Sequence, residues 1–306
     1  MSLHVFANIA TPYGTAANNR AETEGNITTL QKLIWNGETH TTVSAEAIRF
    51  ALRRLLAEKE DKGTNRSWDE KDRTNVWQDA SFAGWNGKGK TYIDDDLLGY
   101  MIAEAAKEEK KAGSATVRRA VLEVTRAVSL TPWPGDVTFN AASPGATPSA
   151  QKKGSNPVPY GTELHATRYQ FGIAMTPARL HDASRASKAI QCLAALNSVA
   201  GNQGRFLFDF SPDAVIFRVT QDPAPRLLYS FETNDDGKSV DAPDVLRRVQ
   251  EGDIDPKELV LGGSIVHQPA GKALIEAGAY VAKASGIKSA ADEVVRRIEE
   301  ALAAGK

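Results

Sequence analysis

The stretch SAEAIRFALRRLL (residues 44–56) predicts the first helix of the chain, and the fold follows from its surroundings. Ser44 is a residue type that caps helices, and Glu46 places an acidic group in the first turn, where it complements the helix dipole. Arg49 and Arg53 lie four residues apart and share one face of the helix. They form either a solvent-exposed edge of the helix or a binding site for a negatively charged ligand. The apolar stripe of the helix consists of Ile48, Leu52, Leu55 and Leu56.

The composition is that of a globular protein. The chain has 306 residues, of which 42% are hydrophobic and 25% are charged, and this length can bury a sizeable core. The net charge of −1 is unusual for a free-standing nucleic-acid-binding protein. The charge is uneven, however: residues 117–210 carry 10 basic and 5 acidic side chains, whereas residues 211–306 carry 12 and 16. A basic middle between acidic segments can form a basic face.

The chain shows few signs of a cofactor, a metal or a membrane. Cys192 is the single cysteine, so neither an internal disulfide nor a cysteine-based zinc site can form, which fits a reducing compartment. The N-terminus lacks the basic start of a signal peptide, and no apolar run approaches the roughly 20 residues of a bilayer span. The histidines show no metal-ligand spacing. We therefore expect a cytoplasmic protein with no membrane contact, no cofactor and no metal.

The order of the predicted elements indicates an α+β fold class. Two long segments interrupt this order and read as insertions. Without them the order is βαββαβ, which is that of a ferredoxin-like or RRM-like unit with helices on one face of an antiparallel sheet and the other face free. The six elements are strand 3–10, helix 44–57, strand 117–130, strand 162–175, helix 184–200 and strand 205–220.

The two insertions differ in composition. Residues 58–116 have mixed charge and three tryptophans, and we predict a helix over residues 96–113 within them. Residues 131–161 are dense in proline and glycine, which excludes a helix and predicts a mobile arm or a long hairpin. The acidic remainder, residues 221–306, is predicted to hold helices near 242–250 and 270–284 and from about 289.

One stretch has the residue spacing of a nucleotide-binding motif but lacks the flanking elements that the motif requires. GWNGKGKT (residues 84–91) has the spacing of a P-loop. A P-loop needs a buried strand before it and a helix directly after it, so that backbone N–H groups point at the phosphates. The preceding residues make a poor buried strand, and three aspartates follow at 94–96. We favour a glycine turn in a surface insertion.

Basic groups on several predicted elements suggest a grip on phosphates. The segment GNQGR (residues 201–205) offers backbone donors at a tight turn together with an arginine. Each basic group alone is most often a solvated surface charge. Together they lie on elements whose ends can converge in a βαββαβ fold, and such a set can follow a nucleic-acid backbone without reading bases. The basic candidates are Arg20, Lys32, Arg49, Arg53, Lys152, Lys153 and Arg205.

Four stretches of the chain, taken together, resemble one known family. They are FANIATPYGTAANNRAETEGNITTLQKL (6–33), VSAEAIRFALRRLL (43–56), IDDDLLGYM (93–101) and NQGRFLFDFSP (202–212). On these stretches the chain resembles the CRISPR-associated protein seven family of DevR type, the repeating backbone subunit of Cascade surveillance complexes. The resemblance covers most of the chain and is weakest in the two insertions.

The resemblance implies a hand-like subunit. Residues 1–57, 117–130 and 162–220 would form an RRM-like palm, 58–116 a helical fingers insertion, 131–161 a hairpin thumb, and 221–306 a C-terminal part packed on the palm. Copies would stack head to tail along one guide RNA, and because such a contact does not close, the product is a helical filament. The thumb of one copy would displace a base of the RNA held by its neighbour, leaving the other bases to pair with target in antiviral defence.

The resemblance also implies partners and contact residues. The partners are a CRISPR guide RNA (crRNA), the target DNA strand paired to it, further copies of the chain and other subunits of a type I Cascade, with I-B as the expected subtype. The implied RNA-binding residues are Asn18, Asn19, Arg20, Lys32, Ser44, Arg49, Arg53, Lys152, Lys153, His165, Gly201, Asn202, Gln203 and Arg205.

A catalytic alternative stays open beside this interpretation. Related subunits of other CRISPR systems cut target RNA with an aspartate in the loop after the first strand. Residues 11–25 contain Glu22 and Glu24 but no aspartate, a departure that favours a non-catalytic role. An RNA endonuclease that uses one of these carboxylates or a histidine, and a P-loop nucleotide hydrolase, are the two alternatives.

Overall fold

Strand β1 (His4–Ala10) forms the middle of the main sheet. It runs antiparallel to a neighbour on each side, and the side chains of Val5 to Ala10 are all buried. Such a strand needs covering layers on both faces of the sheet. The computed structural model describes residues 2–16, 23–72, 74–87, 89–103, 115–144, 158–199, 207–234 and 237–304.

The remaining elements follow in chain order. The helices are α1 (Ala45–Leu56), α2 (Ile93–Leu98), α3 (Arg185–Ala194), α4 (Pro243–Gln250), α5 (Pro269–Glu276) and α6 (Ile287–Ala304). The strands before α1 are β2 (Gly14–Ala16), β3 (Thr23–Glu24), β4 (Ile27–Thr28), β5 (Lys32–Trp35) and β6 (Glu38–Val43). The strands after α1 are β7 (Arg66–Asp69), β8 (Thr74–Trp77), β9 (Tyr100–Ala103), β10 (Ala115–Arg118), β11 (Leu122–Val124), β12 (Ala127–Ser129), β13 (Val137–Ala142), β14 (Val158–Glu163), β15 (His165–Thr167), β16 (Tyr169–Met175), β17 (Ala214–Thr220), β18 (Leu259–Gly263) and β19 (Tyr280–Val281).

The main sheet has the strand order β19–β18–β17–β1–β16–β12–β6–β5, and β11 pairs with β16 beside β12. In the register of β1, Ile9 lies opposite Phe171 of β16 and Val215 of β17. Both neighbours are antiparallel to β1, and β11 and β12 are antiparallel to β16. This mixed structure of helices on a largely antiparallel sheet confirms the predicted α+β class.

Both faces of the sheet are covered around β1. Val5, Ala7 and Ile9 enter a core that is shared with α1, α3 and α6. Phe6 and Ala10 enter a second core, to which α4, α5 and the chain between β17 and α4 contribute. The sequence predicts that one face stays free, and this is wrong where the C-terminal part of the chain packs over β1, β17 and β18.

The other element predictions are confirmed in part. The strand at 3–10, the helix at 44–57 and the helix near 242–250 are present, and the terminal helix begins at Ile287. The helix predicted over 184–200 is shorter and ends at Ala194, and the strand predicted over 205–220 is formed from Ala214. The helix predicted over 270–284 ends at Glu276, just before Gly278, whose φ is 117°.

The predicted strand over 117–130 consists of three short strands, β10, β11 and β12. Val121 N–H donates to the Leu97 carbonyl at 2.9 Å, outside the main sheet. The Thr125 hydroxyl accepts from Gly172 N–H at 2.8 Å, in place of a backbone carbonyl. The ladder of backbone hydrogen bonds is therefore interrupted at Val121 and weakened at Thr125, whose own N–H still donates to the Gly172 carbonyl at 2.9 Å.

The described part of the 58–116 insertion consists mainly of hairpins, so the prediction of a helical insertion is wrong there. The helix predicted over 96–113 ends at Leu98, because Gly99 has a φ of 68° and β9 then pairs with β10. A side chain at Gly99 would also collide with the Arg118 carbonyl oxygen, 2.3 Å from its Cβ position. Residues 104–114 lie outside the described residues.

The second insertion contains a hairpin, as its composition predicts. Strands β13 and β14 are antiparallel, and Val137 lies opposite Glu163. Strand β14 also pairs in parallel with β4, whose partner is β3. The hairpin therefore belongs to a small sheet separate from the main one.

A buried acidic cluster joins the first insertion to the helices. We call Asp94, Asp95 and Asp96, each at most 2% exposed, the aspartate cluster. Asp94 accepts hydrogen bonds from Arg53 Nε of α1 at 3.2 Å and from the Asn65 backbone N–H at 2.8 Å. Buried carboxylates are tolerated when cations and donors compensate them in this way.

The third aspartate ties the cluster to the other side of the molecule. Asp96 accepts from Arg118 Nη2 at 2.6 Å and from Arg185 Nη1 of α3 at 3.0 Å. Arg185 is itself paired with Glu60, with Nε 3.0 Å from Oε1. The cluster thus connects α1, α2, α3 and β10 through charge-assisted hydrogen bonds.

Asp95 differs from its two neighbours. Its Oδ2 accepts from Asn65 Nδ2 at 2.9 Å, and no salt bridge to it is found among the described residues. Burial, with the charge of Asp94 adding to it, raises the pKa of Asp95 to about 7. The proton on Asp95 is therefore linked to folding near neutral pH.

We predict that Asp95→Asn removes a pH dependence of stability. A carboxyl whose pKa is raised by folding stabilises the fold fully below its unfolded pKa, and this contribution is lost as the pH rises to the folded value of about 7. At pH 8 the variant should be more stable than the wild type, by roughly 1.4 kcal/mol per unit of pKa shift at most. Near pH 4 the two should agree. Urea unfolding across this range measures the effect.

Asp94→Asn is the matched control, and it should change the free energy of unfolding in the opposite direction. It removes the buried partner of Arg53 and should lower the free energy of unfolding at pH 7 by about 3 kcal/mol. An Asp95→Asn variant that is less stable than the wild type at pH 8 would contradict the prediction.

Candidate nucleic-acid interface

A small basic surface lies at the beginning of α1 and on the adjoining segment before β12. Arg49 Nη2 lies 3.7 Å from Glu46 Oε1, a long and exposed contact. Arg126 is exposed, and its Nη1 donates to Thr42 Oγ1 at 3.2 Å. The pKa of Glu46 lies below its usual value, chiefly because its own backbone N–H bonds the carboxylate, and both arginines add to this. We call Glu46, Arg49 and Arg126 the Arg49–Arg126 surface; its net charge is positive.

Arg126 is a site candidate that the sequence analysis did not single out. It interrupts the apolar alternation of a predicted strand, between Val124 and Val128. In the structure it occupies the gap between β11 and β12, and its carbonyl accepts the Tyr229 hydroxyl at 2.6 Å. An arginine on the face that otherwise holds Leu122, Val124, Val128 and Leu130 is the signal that could have identified it.

Arg53 does not share the surroundings of Arg49. Its side chain is 14% exposed and is held by Asp94, so its charge is already compensated within the protein. Burial lowers its pKa, and the Asp94 carboxylate opposes this. The sequence analysis places both arginines toward one ligand, whereas the structure gives Arg53 an internal partner and leaves Arg49 at the surface.

Ser44 is used by the helix that it caps. Its Oγ accepts from Ala47 N–H at 3.2 Å, and the residue is 3% exposed. Glu46 also places a negative charge in the same turn. We therefore regard Ser44 as a residue that fixes the start of α1, and not as a direct phosphate ligand.

Lys32 joins two parts of the structure. Its Nζ lies 2.6 Å from Glu163 Oε2 and 4.0 Å from the centroid of the Trp133 ring. Glu163 also accepts from Leu30 N–H at 2.7 Å. The lysine thus ties β5 to β14 of the hairpin, and its charge is largely compensated by this pair.

His165 lies in the interior. It is 1% exposed, its Nδ1 is 2.8 Å from Thr41 Oγ1, and its Nε2 is 3.3 Å from Thr131 Oγ1. The Tyr169 hydroxyl is also 2.8 Å from Thr41 Oγ1. Burial lowers the pKa of His165 to about 4, so the ring is neutral at pH 7. A neutral, buried imidazole cannot neutralise a phosphate directly, so the predicted phosphate contact of His165 is wrong in this structure.

The other predicted contacts lie outside the described residues. Described residues next to two of these segments lie near His165 and Tyr169. Ala16 of β2, which precedes the first segment, lies opposite His165. The ring of Phe208, which follows the last segment, packs against Tyr169 with centroids 5.5 Å apart. The predicted contacts outside the described residues are Asn18, Asn19, Arg20, Lys152, Lys153, Gly201, Asn202, Gln203 and Arg205, together with the carboxylate candidate Glu22.

The P-loop-like segment has a different structure from a phosphate-binding loop. It begins in a short 3₁₀ helix, Ala83–Asn86, and not after a buried strand. A Cβ at Gly84 would lie 2.5 Å from the Lys90 carbonyl oxygen, so the two ends of the segment are packed together. The following helix, α2, carries the buried aspartate cluster in its first turn. These features disfavour the nucleotide-hydrolase alternative.

Two general features of the described residues bear on the kind of site. No described helix combines the length and apolar composition that a bilayer span requires. Within the same residues, no group of three or more His, Cys, Asp or Glu side chains is arranged to hold a metal ion.

Two solved structures have a similar fold. One is a chain of a "CRISPR RNA-guided surveillance complex, pre-nicking", with a TM-score of 0.55 and 14% identity, covering 96% of this chain and 100% of that chain. The other is a chain of a "CRISPR RNA-guided surveillance complex", with a TM-score of 0.54 and 15% identity, covering 95% and 99%. At these identities the likeness shows the fold alone.

Sequence comparison shows the family. Residues 13–304 match the family described as "CRISPR-associated negative auto-regulator DevR/Csa2". The chain is also 66% identical over 268 residues to the "CRISPR-associated protein Cas7/Cst2/DevR" of Myxococcus xanthus (strain DK1622), covering 87% of this chain and 88% of that protein. The resemblance found in the sequence is thereby confirmed, and this chain belongs to the Cas7 family of CRISPR-associated proteins, DevR type.

Proposed function

We propose that this chain is the crRNA-binding backbone subunit of a type I Cascade, of subtype I-B, that polymerises head to tail along the guide RNA. The observation that carries the proposal is the family match over nearly the whole chain, residues 13–304. The fold, shared with chains of RNA-guided surveillance complexes, supports it. The subunit would grip the guide backbone and leave its bases free to pair with the target DNA strand in antiviral defence.

The strand order supports a ferredoxin-like palm. The strands that correspond to the four strands of a βαββαβ unit are β1, β11 with β12, β16 and β17, and α1 and α3 are its two helices. The first strand lies between the third and the fourth, and the second lies outside the third, with every contact antiparallel. On this palm, residues 58–116 are the fingers and 131–161 the thumb.

The Arg49–Arg126 surface supports a grip on the phosphate backbone. The exposed Arg126 and the half-buried Arg49, 32% exposed, lie near one exposed carboxylate, that of Glu46, so they can exchange this weak partner for phosphates. Each phosphate contact releases condensed counterions, which gives affinity without sequence preference. Arg53 would act indirectly, because its bond to Asp94 fixes α1.

The charge distribution supports repeated contact between copies. Residues 117–210 have an excess of basic groups and residues 211–306 an excess of acidic groups. Those basic groups that have no internal partner, unlike Arg118 and Arg185, would face acidic groups of the next copy. A head-to-tail contact between them continues as a helical filament. Other Cascade subunits would end this filament, and assembly would take place in the cytoplasm.

We predict that Arg49→Ala combined with Arg126→Ala weakens binding of single-stranded RNA to the same extent for every sequence. The slope of log K against log salt should fall by about one unit for each phosphate that the variant no longer neutralises. Filter binding at several salt concentrations measures both quantities. Arg53→Ala is unsuitable for this test, because it would leave Asp94 buried without its cation.

Arg247→Ala serves as the control for that double variant. Arg247 is an exposed arginine that is paired with Asp244 and Glu251. Its helix, α4, packs on the face of the sheet opposite to α1. It should leave the affinity and the salt slope unchanged. A sequence-selective loss of affinity in the double variant, or an equal loss in the control, would count against the proposal.

We predict the opposite effect for Glu46→Gln. This change removes the carboxylate that competes with phosphates for the two arginines. RNA affinity at low salt should rise by about 2- to 5-fold, and the gain should fade at high salt as charges are screened. The same filter-binding series measures it. Weaker binding by Glu46→Gln would place the RNA elsewhere on the molecule.

We propose that the chain is not an enzyme. Target RNA incubated with the guide-loaded protein and Mg²⁺ should stay intact on a denaturing gel. Cleavage at a regular interval that is abolished by Glu22→Gln or Glu24→Gln would instead establish the endonuclease alternative. Guide binding measured on the same sample shows that the protein is active in binding.

A further inference from the structure

A pocket of about 250 Å³ lies between α1 and the β7–β8 hairpin. Within the hairpin, Trp68 lies opposite Asn75 and Arg66 lies opposite Trp77, so these four side chains project from one face of it. We call this cavity the Phe50–Trp68 pocket. Helix α1 and the residue that follows it line the pocket with Phe50, Arg53, Arg54 and Ala57. The hairpin, its turn and the chain before it line the pocket with Thr64, Arg66, Ser67, Trp68, Glu70 and Asn75.

Two aromatic rings of the pocket are left open. Phe50, from the helix, and Trp68, from the hairpin, are each 41% exposed, and neither has an aromatic partner among the described side chains. The other tryptophans of the insertion are packed, Trp77 against Phe82 and Trp85 against Tyr100. An open ring beside a cavity is a surface on which a flat ligand can stack.

The charge of the pocket favours an anionic ligand. Its lining contains three arginines and one acidic residue, Glu70. Arg53 is bonded to Asp94, and Arg66 Nε donates to Asn75 Oδ1 at 2.9 Å. Arg54 is exposed and has no ion pair among the described residues. A guanidinium group in this position can bind a phosphate next to the stacked ring.

The pocket also lies next to the Arg49–Arg126 surface along α1. Arg49 and Phe50 are consecutive, and Arg54 follows within about 8 Å of helix rise. Phe50 points about 100° away from Arg49 around the helix axis, so a strand held by Arg49 would pass around α1 to reach the pocket. The side-chain NH₂ of Asn75 can donate to the edge of a base, while its Oδ1 accepts from Arg66 Nε.

We propose that the Phe50–Trp68 pocket binds one unpaired nucleobase of a single-stranded nucleic acid, with Arg54 on the adjoining phosphate. The inference rests on the proposed function, because the Arg49–Arg126 surface brings the strand to the pocket. The competing occupant is a side chain of a neighbouring copy. The arginines disfavour an apolar side chain, because they would lose water without gaining a partner.

The test uses the full-length protein and a short single-stranded RNA that carries 2-aminopurine at successive positions. At one position, wild-type protein should quench the fluorescence by stacking. Phe50→Ala and Trp68→Ala should each remove this quenching and weaken binding about 5- to 100-fold, the range found for base–aromatic stacking. Trp68→Phe should retain most of both effects. Val76→Ala, a 44% exposed residue of the same hairpin outside the pocket, is the matched control and should change neither.

An RNA with an abasic site at the quenched position tests the base contact without altering the protein. It should bind wild-type protein as weakly as the intact RNA binds Trp68→Ala. Combining the two changes should cause little further weakening, because both remove the same interaction. Additive effects would overturn the proposal.

The outcomes separate this inference from the proposed function. If Arg49→Ala with Arg126→Ala weakens binding while Phe50→Ala and Trp68→Ala keep wild-type affinity and quenching, the pocket proposal fails and the proposed function stands. If wild-type protein binds no RNA, both fail. If the pocket variants reduce particle size in light scattering at unchanged RNA affinity, the pocket holds a neighbouring copy, and the nucleobase proposal is wrong.

Discussion

The buried aspartate cluster is the constraint on which the arrangement of the molecule depends. Carboxylates that are removed from water are stable only beside cations and hydrogen-bond donors. Asp94 requires Arg53 of α1, and Asp96 requires Arg118 of β10 and Arg185 of α3. Segments distant in the sequence must therefore meet at α2, and the first insertion cannot move away from the helices without exposing or unpairing these charges.

This constraint divides the arginines of α1 between two tasks. The apolar stripe packs α1 on the sheet, and Arg53, beside it, bonds inward to Asp94. Arg49 and Arg54 are left on the outer side, where Arg49 has a long contact to Glu46 and Arg54 has no ion pair among the described residues. One arginine thus holds the helix in place, and the other two lie on its outer side.

The sequence predicted those features that depend on local periodicity. Strand β1 and helix α1 follow from alternation, from a 3.6-residue stripe and from the Ser44 cap, and the family could be identified from four short stretches. The prediction of a helix over 96–113 is wrong because Gly99 takes a backbone conformation that favours glycine. The periodicity of the flanking residues does not indicate this conformation. The prediction that the second face of the sheet is free is wrong because a segment distant in the chain packs on that face.

The site was less predictable than the fold, because residue type does not reveal burial or long-range partners. Ser44 and His165 are reasonable phosphate ligands by type, but both are buried and hydrogen-bonded in the interior. Arg53 finds a carboxylate 41 residues away, a partner that the pattern of α1 does not indicate. Arg126 lies beside the start of α1 only because β12 pairs with β6, a contact that the pattern of its own strand does not indicate.

The rigidity of α1 links the buried cluster to the proposed grip on RNA. Binding a flexible polyanion orders the strand and the side chains that hold it, and this ordering reduces affinity. A helix that is capped by Ser44, packed along its stripe and bonded through Arg53 has little freedom left to lose. When a ligand binds Arg49 and Arg54, only their side chains need to be ordered, whereas binding to lysines on a loop would also order the loop backbone. In the proposed interface, the internal ion pair would therefore support the affinity of the surface without touching the ligand.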